Sequence, residues 1–328
     1  MERIDVVLPW VNGNDPTWVE KKKAYSNINS DSTDNATANQ NASDNRYFDY
    51  GTLKYALRSI EKNMPWVGKI FLLTDNQIPD WLNTESLEIV DHTEFISGTL
   101  PTFNSNVILT NLHRIPNLAE HFVLMNDDLI VWRMTKPTDF FKSELPVDAL
   151  IETGTVPFTD GFFHISQNGV ALANELFDKR KIMKEKPGIF FNIHYGISQL
   201  RTILSLPYKG FLGFMNPHLA MPYRKSDFLE FEKEFSDVLL NTGEHRFRDF
   251  SDVNEWAIRY VRNLKGNFAP GKIKGEFLTL RDFEKEIRLP SKTSIIAIND
   301  DNYRSEQSMH NMDEFLNSRF SEKSRYEL

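Results

Sequence analysis

Phe122-Val123-Leu124-Met125 is an apolar run that ends in Asn126-Asp127-Asp128. Adjacent carboxylates at the end of a buried strand suit a hard divalent cation, which takes oxygen ligands and is usually shared with substrate phosphates. Upstream lie Leu100-Pro101-Thr102-Phe103-Asn104-Ser105-Asn106 and then His113-Arg114-Ile115-Pro116, a loop and helix carrying amide, hydroxyl, imidazole and guanidinium groups. The combination points to an enzyme acting on a phosphorylated or nucleotide-linked substrate. In this reading one of Asp127 and Asp128 ligates Mg²⁺ or Mn²⁺ on a diphosphate while the other orients it. An Asx turn is the plain alternative, since Asn and Asp favour turns unaided. His113 and Arg114 weigh against it, because arginine offers a planar fork for phosphate oxygens. Basic residues at a helix end also favour the dipole, so that pair keeps two readings.

Other candidates lie far along the chain. His218, in Asn216-Pro217-His218, sits in a loop before a helix, as a positioned general base does. Arg246 and Arg248 precede a helix N-terminus, where a cation gains nothing from the dipole; a phosphate would suit them. Asn299-Asp300-Asp301 repeats the strand-then-acids design and is either a second metal contact or a turn. Neither glycine-rich phosphate loop is present, nor a Gly-x-Ser-x-Gly elbow or His-Glu-x-x-His helix, which argues against the commonest dehydrogenases, kinases, hydrolases and zinc proteases.

Alternating elements must position these groups. Ile4 to Leu8, Lys69 to Thr74, Leu87 to Val90 and Phe122 to Met125 read as strands. Helices are expected at Thr17 to Tyr25, on the face Leu53, Leu57, Ile60 and Met64, and from Ser105 to Ile115. This order implies a Rossmann-like α/β fold with a mainly parallel sheet, whose ligands sit beyond the carboxyl ends of the strands. The polar exits Asn12 to Asp15, Asp75 to Gln77 and Asn126 to Asp128 then share one cleft. Residues 170–262 read as a mainly helical subregion of the same 328-residue domain, with helices capped by Asp227 and Asp252. Late strands are expected at Gly275 to Leu280 and Ser294 to Ile298. Residues 26–45 are almost all Asn, Ser, Asp, Thr and Ala, too polar to offset their ordering entropy, and read as a mobile insert.

Bulk properties set limits. With a net charge of −8 the surface as a whole is a poor nucleic-acid binder. No cysteine is present, which excludes disulfides, zinc-thiolate sites and thiol nucleophiles. The chain runs from Met1 straight into a strand-like stretch and has no apolar run of membrane-spanning length, so a cytoplasmic or peripherally attached protein is expected. The basic stretch Lys179-Arg180-Lys181 with Lys184 and Lys186 reads first as a solvated helix face and second as a contact for an anionic membrane.

Ile4-Asp5-Val6-Val7 with Trp10-Val11-Asn12-Gly13-Asn14-Asp15-Pro16 resembles the first conserved region of the Stealth family of sugar-1-phosphate transferases. The second region is matched by Leu53 to Lys62, Pro65-Trp66-Val67, Gln77-Ile78-Pro79, Trp81-Leu82, Leu100 to Ser105, His113 to Pro116 and Asn126-Asp127-Asp128. Looser matches follow at Pro217-His218, Arg248, Asp252, Trp256 and Ile298-Asn299-Asp300. The resemblance implies a nucleotide-sugar fold related to GT-A glycosyltransferases. It implies transfer of a sugar 1-phosphate from a UDP-sugar to a glycan hydroxyl with release of UMP, using Mg²⁺ or Mn²⁺, in capsular or cell-surface polysaccharide synthesis. It further implies a lipid-linked glycan acceptor and peripheral contact with the inner face of the plasma membrane or a polysaccharide assembly complex.

The resemblance assigns His218 as base and Arg248 as phosphate clamp, with Asp127, Asp128 and Asp300 toward the metal. It carries substrate binding onto Asp5, Asn12, Arg58, Gln77, Asn104, His113 and Arg114, and Asp15, Ser105 and Asn126 beside them are further candidates for substrate binding. Two rivals remain open at this point: a metal-dependent glycosyltransferase releasing UDP, and a non-catalytic sugar-nucleotide or glycan-binding module.

Overall fold

The computed structural model describes residues 2–26, 47–156, 162–299, 303 and 305–328. Asp300 and the polar insert beyond Ser26 lie outside the described residues. The elements that frame the site begin with β1 (Ile4–Pro9), α1 (Pro16–Ser26), α2 (Thr52–Asn63), β2 (Ile70–Thr74) and β3 (Glu88–Asp91). They continue with α3 (Ser105–Thr110), β4 (His121–Leu124) and β5 (Leu129–Val131). The second half supplies α4 (Phe162–Leu176), β6 (Met221–Arg224), α5 (Lys225–Glu234), α6 (Ser236–Glu244) and α7 (Glu255–Lys265). It closes with β7 (Gly275–Thr279), β8 (Ile295–Asn299) and α8 (Glu306–Arg319).

The main sheet has the order β3-β2-β1-β4-β6. β3, β2, β1 and β4 run parallel, with Val7 opposite Phe71 on one side and Leu124 on the other, and β6 closes the edge antiparallel. Parallel strands are covered on both faces, and β1 reads accordingly as a continuous apolar run. Ile4, Val6 and Leu8 pack on α2 through Leu53, Leu57 and Ile60. Val7 faces the opposite layer, where Phe122 and Leu124 meet Phe228 and Phe231 of α5 and Ile258 and Val261 of α7. Full burial of each such side chain stabilises by about 1.5–3 kcal/mol. The mixed α/β, mainly parallel architecture is the one expected from the strand–helix alternation.

Order 3-2-1-4 creates a switch point between β1 and β4, because the chain leaves β1 toward one side and returns on the other. A crevice opens at that place beyond the carboxyl ends of such strands. A second, three-stranded sheet of β7, β8 and β5 braces the turn after β4, with Ile298 N donating to Asp128 O at 3.0 Å. α4 crosses α7 so closely that a Cβ on Gly169 would lie 2.9 Å from that of Ala257. No helix among the described residues is long and apolar enough to cross a membrane.

Three local expectations differ from the structure. Asn104, not Ser105, caps α3, its side chain accepting from Asn106 N, and the helix ends at Thr110 before a separate 3-10 turn, Leu112–Arg114. Asp227 does not cap α5 but sits at its third residue, closing a box with Arg224, and Phe235 separates α5 from α6. Asn254, not Asp252, is the N-cap position of α7. Asp252 is drawn inward, where its carboxylate accepts from Asn104 Nδ2 at 2.7 Å and Asn106 Nδ2 at 3.0 Å.

Candidate active site

At the switch point lies a cavity of about 320 Å³ whose wall includes Trp10, Trp18, Tyr47, Ser105, Asn126, Asp127, His218, Arg248, Glu255 and Trp256. Contributions come from the exits of β1 and β4, the start of α3, the loop before β6 and the start of α7. Residues more than 100 positions apart thus face one space. The exit of β1 is held by Gln77, which accepts from Asn12 N at 3.0 Å and donates to Asn12 O and Asp15 Oδ2. Gly13 is required there: a Cβ would strike Tyr47 O at 2.3 Å, and its own N–H donates to that oxygen.

The acids after β4 occupy a tight turn, Leu129 N donating to Asn126 O. Burial drives the Asp127 carboxyl well above its ordinary range, and the charges of Asp128 and Asp49 push it further. Asp128 Oδ2 faces His218 Nε2 at 3.1 Å, whereas its Oδ1 is buried with no hydrogen-bond partner among the described residues. Repelling carboxylates and an orphaned carboxylate oxygen fit a hard divalent cation, whose charge would reverse the penalty. Asp127 and Asp128, with Asp49 nearby, are the residues that would hold it. A different group, Glu2, His121 and Glu144, can bring its ligand atoms within 4.8 Å of one another, but it lies at the amino end of β4, away from the cleft.

His218 is positioned from several sides. Its ring meets Phe277 of β7 edge-on at 6.0 Å. The preceding residues are pinned by Arg259, which donates to Met215 O and Asn216 Oδ1 at 3.1 and 2.9 Å, and by Met215 N donating to Ile151 O. Burial works against an imidazolium here, but the Asp128 hydrogen bond and the charges of Asp128 and Glu255 outweigh it, leaving the pKa above its ordinary value. Arg248 donates twice to Ser105 Oγ, from Nε at 3.2 Å and Nη2 at 2.6 Å. Asn104 fixes this corner by donating to His245 O, Phe247 O and Asp252 Oδ2.

Several expected binding residues do not reach the cavity. Asp5 is fully buried at the amino end of β1, accepting from Arg3, Lys69 N and Ala119 N. It ties strands together and is corrected to a structural role. Arg58 forms a two-pronged pair with Glu327, both contacts 2.7 Å, and donates to Phe320 O, clamping the C-terminal segment. His113 and Arg114 both turn to Glu232 on α5, and burial holds the His113 imidazole below its ordinary pKa. Gln77, Asn12, Asp15 and Asn104 shape the rim and floor through the bonds above.

Sequence reasoning missed Asp49, His92 and Glu255. Asp49 is part of Phe48-Asp49-Tyr50-Gly51, an acid just before a helix with an Asx-type bond to Gly51 N, which gave only a turn signal. His92 lines the cavity, and burial lowers its pKa below the ordinary imidazole value. Glu255 sits in the first turn of α7, where an acid needs no explanation beyond the dipole. Its tertiary setting is the news: burial raises its pKa to about 7 against the lowering by its own N–H, Arg248 and His218. The unfolded chain, with an ordinary carboxyl, releases this proton first. Stability is therefore lost as pH rises from about 4.5 toward 7. Glu255→Gln is expected to remove that loss, gaining about 3 kcal/mol over wild type at pH 8 relative to pH 4. Urea unfolding at the two pH values measures it, and an equal effect of the substitution at both would contradict the assignment.

Two Stealth family models match, conserved region 1 over residues 2–30 and conserved region 2 over residues 46–147. A capsular polysaccharide phosphotransferase, WcwK of Streptococcus pneumoniae, is 38% identical over 92% of this chain and 90% of its own. The chain belongs to the Stealth family. The receptor polysaccharide phosphotransferase WefC of Streptococcus gordonii is 40% identical over 92% of this chain and 91% of its own. The exopolysaccharide phosphotransferase cps2G of Lactiplantibacillus plantarum is 35% identical over 98% and 94%. Among solved structures, the galactosyltransferase LgtC with donor and acceptor sugar analogues aligns over 96% of each chain at 10% identity and a TM-score of 0.40. Mouse xyloside xylosyltransferase 1 aligns at 10% identity and 0.35, over 90% of this chain and 97% of its own. Likeness at that level carries no argument about this Stealth protein.

Proposed function

We propose that this protein transfers a sugar 1-phosphate from a UDP-sugar to a hydroxyl of a glycan acceptor, forming a phosphodiester and releasing UMP, in capsular or cell-surface polysaccharide synthesis. The observation that carries the reading is the convergence of His218, paired to Asp128, with Arg248 and Asp127 around one cavity. Relatives that are named polysaccharide phosphotransferases support the same class. Because His218 Nε2 donates to Asp128 Oδ2, the other ring nitrogen, Nδ1, takes the acceptor hydroxyl's proton; the acceptor oxygen bonds to the β-phosphorus and the bond from that phosphorus to the bridging oxygen breaks. UMP leaves with that oxygen, and the anomeric carbon keeps its configuration. Arg248, held by Ser105, faces the phosphoryl oxygens as their charge redistributes, and such electrostatic positioning supplies most of phosphoryl-transfer catalysis. A divalent cation, Mg²⁺ or Mn²⁺, would neutralise diphosphate charge when bound at Asp127 and Asp128, with Asp300 a third candidate ligand. Trp10, Trp18 and Tyr47 offer aromatic faces for the uracil, with Asn126 in the same wall, and Asn12 and Asp15, held by Gln77, brace the exit of β1 beside it. The acceptor is taken to be lipid-linked, with the enzyme at the inner face of the plasma membrane.

The test is product identity. Purified protein is incubated with Mg²⁺, a panel of UDP-hexoses and UDP-N-acetylhexosamines and soluble oligosaccharide acceptors. Acceptor-dependent UMP is expected. UDP in its place would overturn the reading in favour of attack at carbon, and a panel giving neither would reduce the protein to a binding module.

A further inference from the structure

The segment from Pro187 to Tyr208 inverts the usual amphipathic arrangement. It folds as short helices, Pro187–Phe190, Ile193–Ser198 and Gln199–Leu204, bent at Gly196 with φ of 57°. Tyr195 and Thr202 point inward and are buried, while Ile193, Ile197, Leu200, Ile203, Leu204 and Leu206 point outward. Ile193 is 88% exposed, Ile197 84% and Leu204 75%. The orientation is fixed by bonds on the inner side. Thr202 Oγ1 accepts from Glu152 N at 3.0 Å, and the Tyr195 hydroxyl donates to Ile189 O at 2.9 Å. A contiguous apolar face turned to water marks a surface with a partner.

The charge around this face selects the partner. Between Arg180 and Lys209 the sequence has six basic residues, Arg180, Lys181, Lys184, Lys186, Arg201 and Lys209, and one acid, Glu185, in a chain whose net charge is −8. All six are exposed. The basic helix and the apolar segment are joined at one point. Lys179, at the head of that helix, is buried and donates to Glu152 Oε1, to Ser205 O at 2.6 Å and to Gly210 O. From the other side Lys272 donates to Tyr195 O and Ser198 Oγ, adding a cation beside the outward isoleucines. Two copies meeting through this face about a twofold axis would bring cations against cations, since such interfaces are self-complementary. An apolar face flanked by lysine and arginine instead matches an anionic bilayer, with the aliphatic side chains entering the acyl boundary and the cations on the headgroups.

We propose that residues 191–209 form the surface by which this protein docks onto an anionic phospholipid membrane. The inference deepens the function proposed above and rests on that reading for the acceptor's presence at a membrane. The segment leads through Phe211 to Met215, packed on Tyr260 and its neighbours, directly to His218. Docking therefore anchors the segment that leads into His218.

The test is flotation of the full-length protein with vesicles of phosphatidylcholine alone or containing about a third phosphatidylglycerol. Wild type is expected to float with the anionic vesicles and to lose binding at high salt. Ile193→Ser/Ile197→Ser and, separately, Arg201→Gln/Lys209→Gln are each expected to weaken binding by about tenfold. Their thermal unfolding and their UMP release with soluble acceptors should stay at wild-type values. No binding to anionic vesicles, equal binding to both compositions, or full binding by either variant would overturn the proposal. So would a concentration-dependent dimer, seen by sedimentation, that Ile193→Ser/Ile197→Ser abolishes. Vesicle binding without UMP release would leave docking intact and sink the proposed reaction; UMP release without vesicle binding would do the reverse.

Discussion

Replacing His218 by glutamine is expected to lower acceptor-dependent UMP release by about 10²–10⁴-fold, the usual contribution of a positioned general base. Glutamine places its amide Nε2 where the imidazole Nε2 stands, 3.1 Å from Asp128 Oδ2, and so keeps the donor that holds the turn after β4. It has no nitrogen that can take a proton. Donor affinity, which in this reading depends on the aromatic wall, Arg248 and the acids, should remain close to wild type when titrated by calorimetry with UDP-sugar and Mg²⁺. The separation matters because His218 also packs on Phe277, and a merely structural histidine would move binding, stability and turnover together. Unchanged turnover in the variant would remove His218 from the chemistry. Lost donor binding would return it to a structural role.

The reach of the sequence follows from how local each signal is. β1, β2 and β4 were legible because strands buried on both faces must be apolar throughout, β3 stood out only through Ile89 and Val90, and α2 carries a 3.6-residue period. The acids after β4 were legible for the same reason: carboxylates directly after such a run stand out. Short β5 and β6 were not, since Leu129–Val131 and Met221–Arg224 are too brief to show a period. β6 also contains Pro222, which an edge strand tolerates and a central one does not.

At the site, residue type was a good guide and direction was not. His113, Arg114 and Arg58 have the right chemistry for phosphate, yet each finds a carboxylate on another element, at Glu232 or Glu327. No local pattern reveals those partners, which are more than 100 residues away. Asp5 likewise has the type of a ligand, but a parallel strand has two ends and only the carboxyl end meets the cleft. Glu255 shows the converse. An acid in the first turn of a helix is unremarkable locally, and it becomes a cleft residue only once α7 is laid against β4 and β6.

The other large effect is on folding. Asp148 is buried among Arg259, Arg262 and Asn263, accepting from Arg259 Nε at 2.7 Å, Arg259 Nη2 at 2.8 Å, Arg262 Nη2 at 2.5 Å and Asn263 Nδ2 at 2.9 Å. Burial alone would raise its pKa, but the two guanidinium groups outweigh burial and hold it below the ordinary carboxylate range. The group therefore contributes stability above the unfolded pKa of about 3.9, and that contribution is lost as pH falls through the lower folded value. Converting the whole cluster to apolar residues need not destabilise, because desolvation offsets much of a buried pair's attraction. Removing the acid alone is different, for it leaves Arg259 buried without its carboxylate and Arg262 with only Asp227, at 3.8 Å. Asp148→Ala is expected to cost about 3–5 kcal/mol at pH 7, read as a fall in the urea midpoint at unchanged slope. A wild-type midpoint would contradict the cluster's assigned role. The consequence extends to the chemistry, since the Arg259 that Asp148 fixes also holds Met215 O and Asn216 Oδ1, just ahead of His218. Under conditions where the variant stays folded, its kcat should fall further than its donor affinity, because the base loses its support while the aromatic wall and the acids after β4 keep theirs.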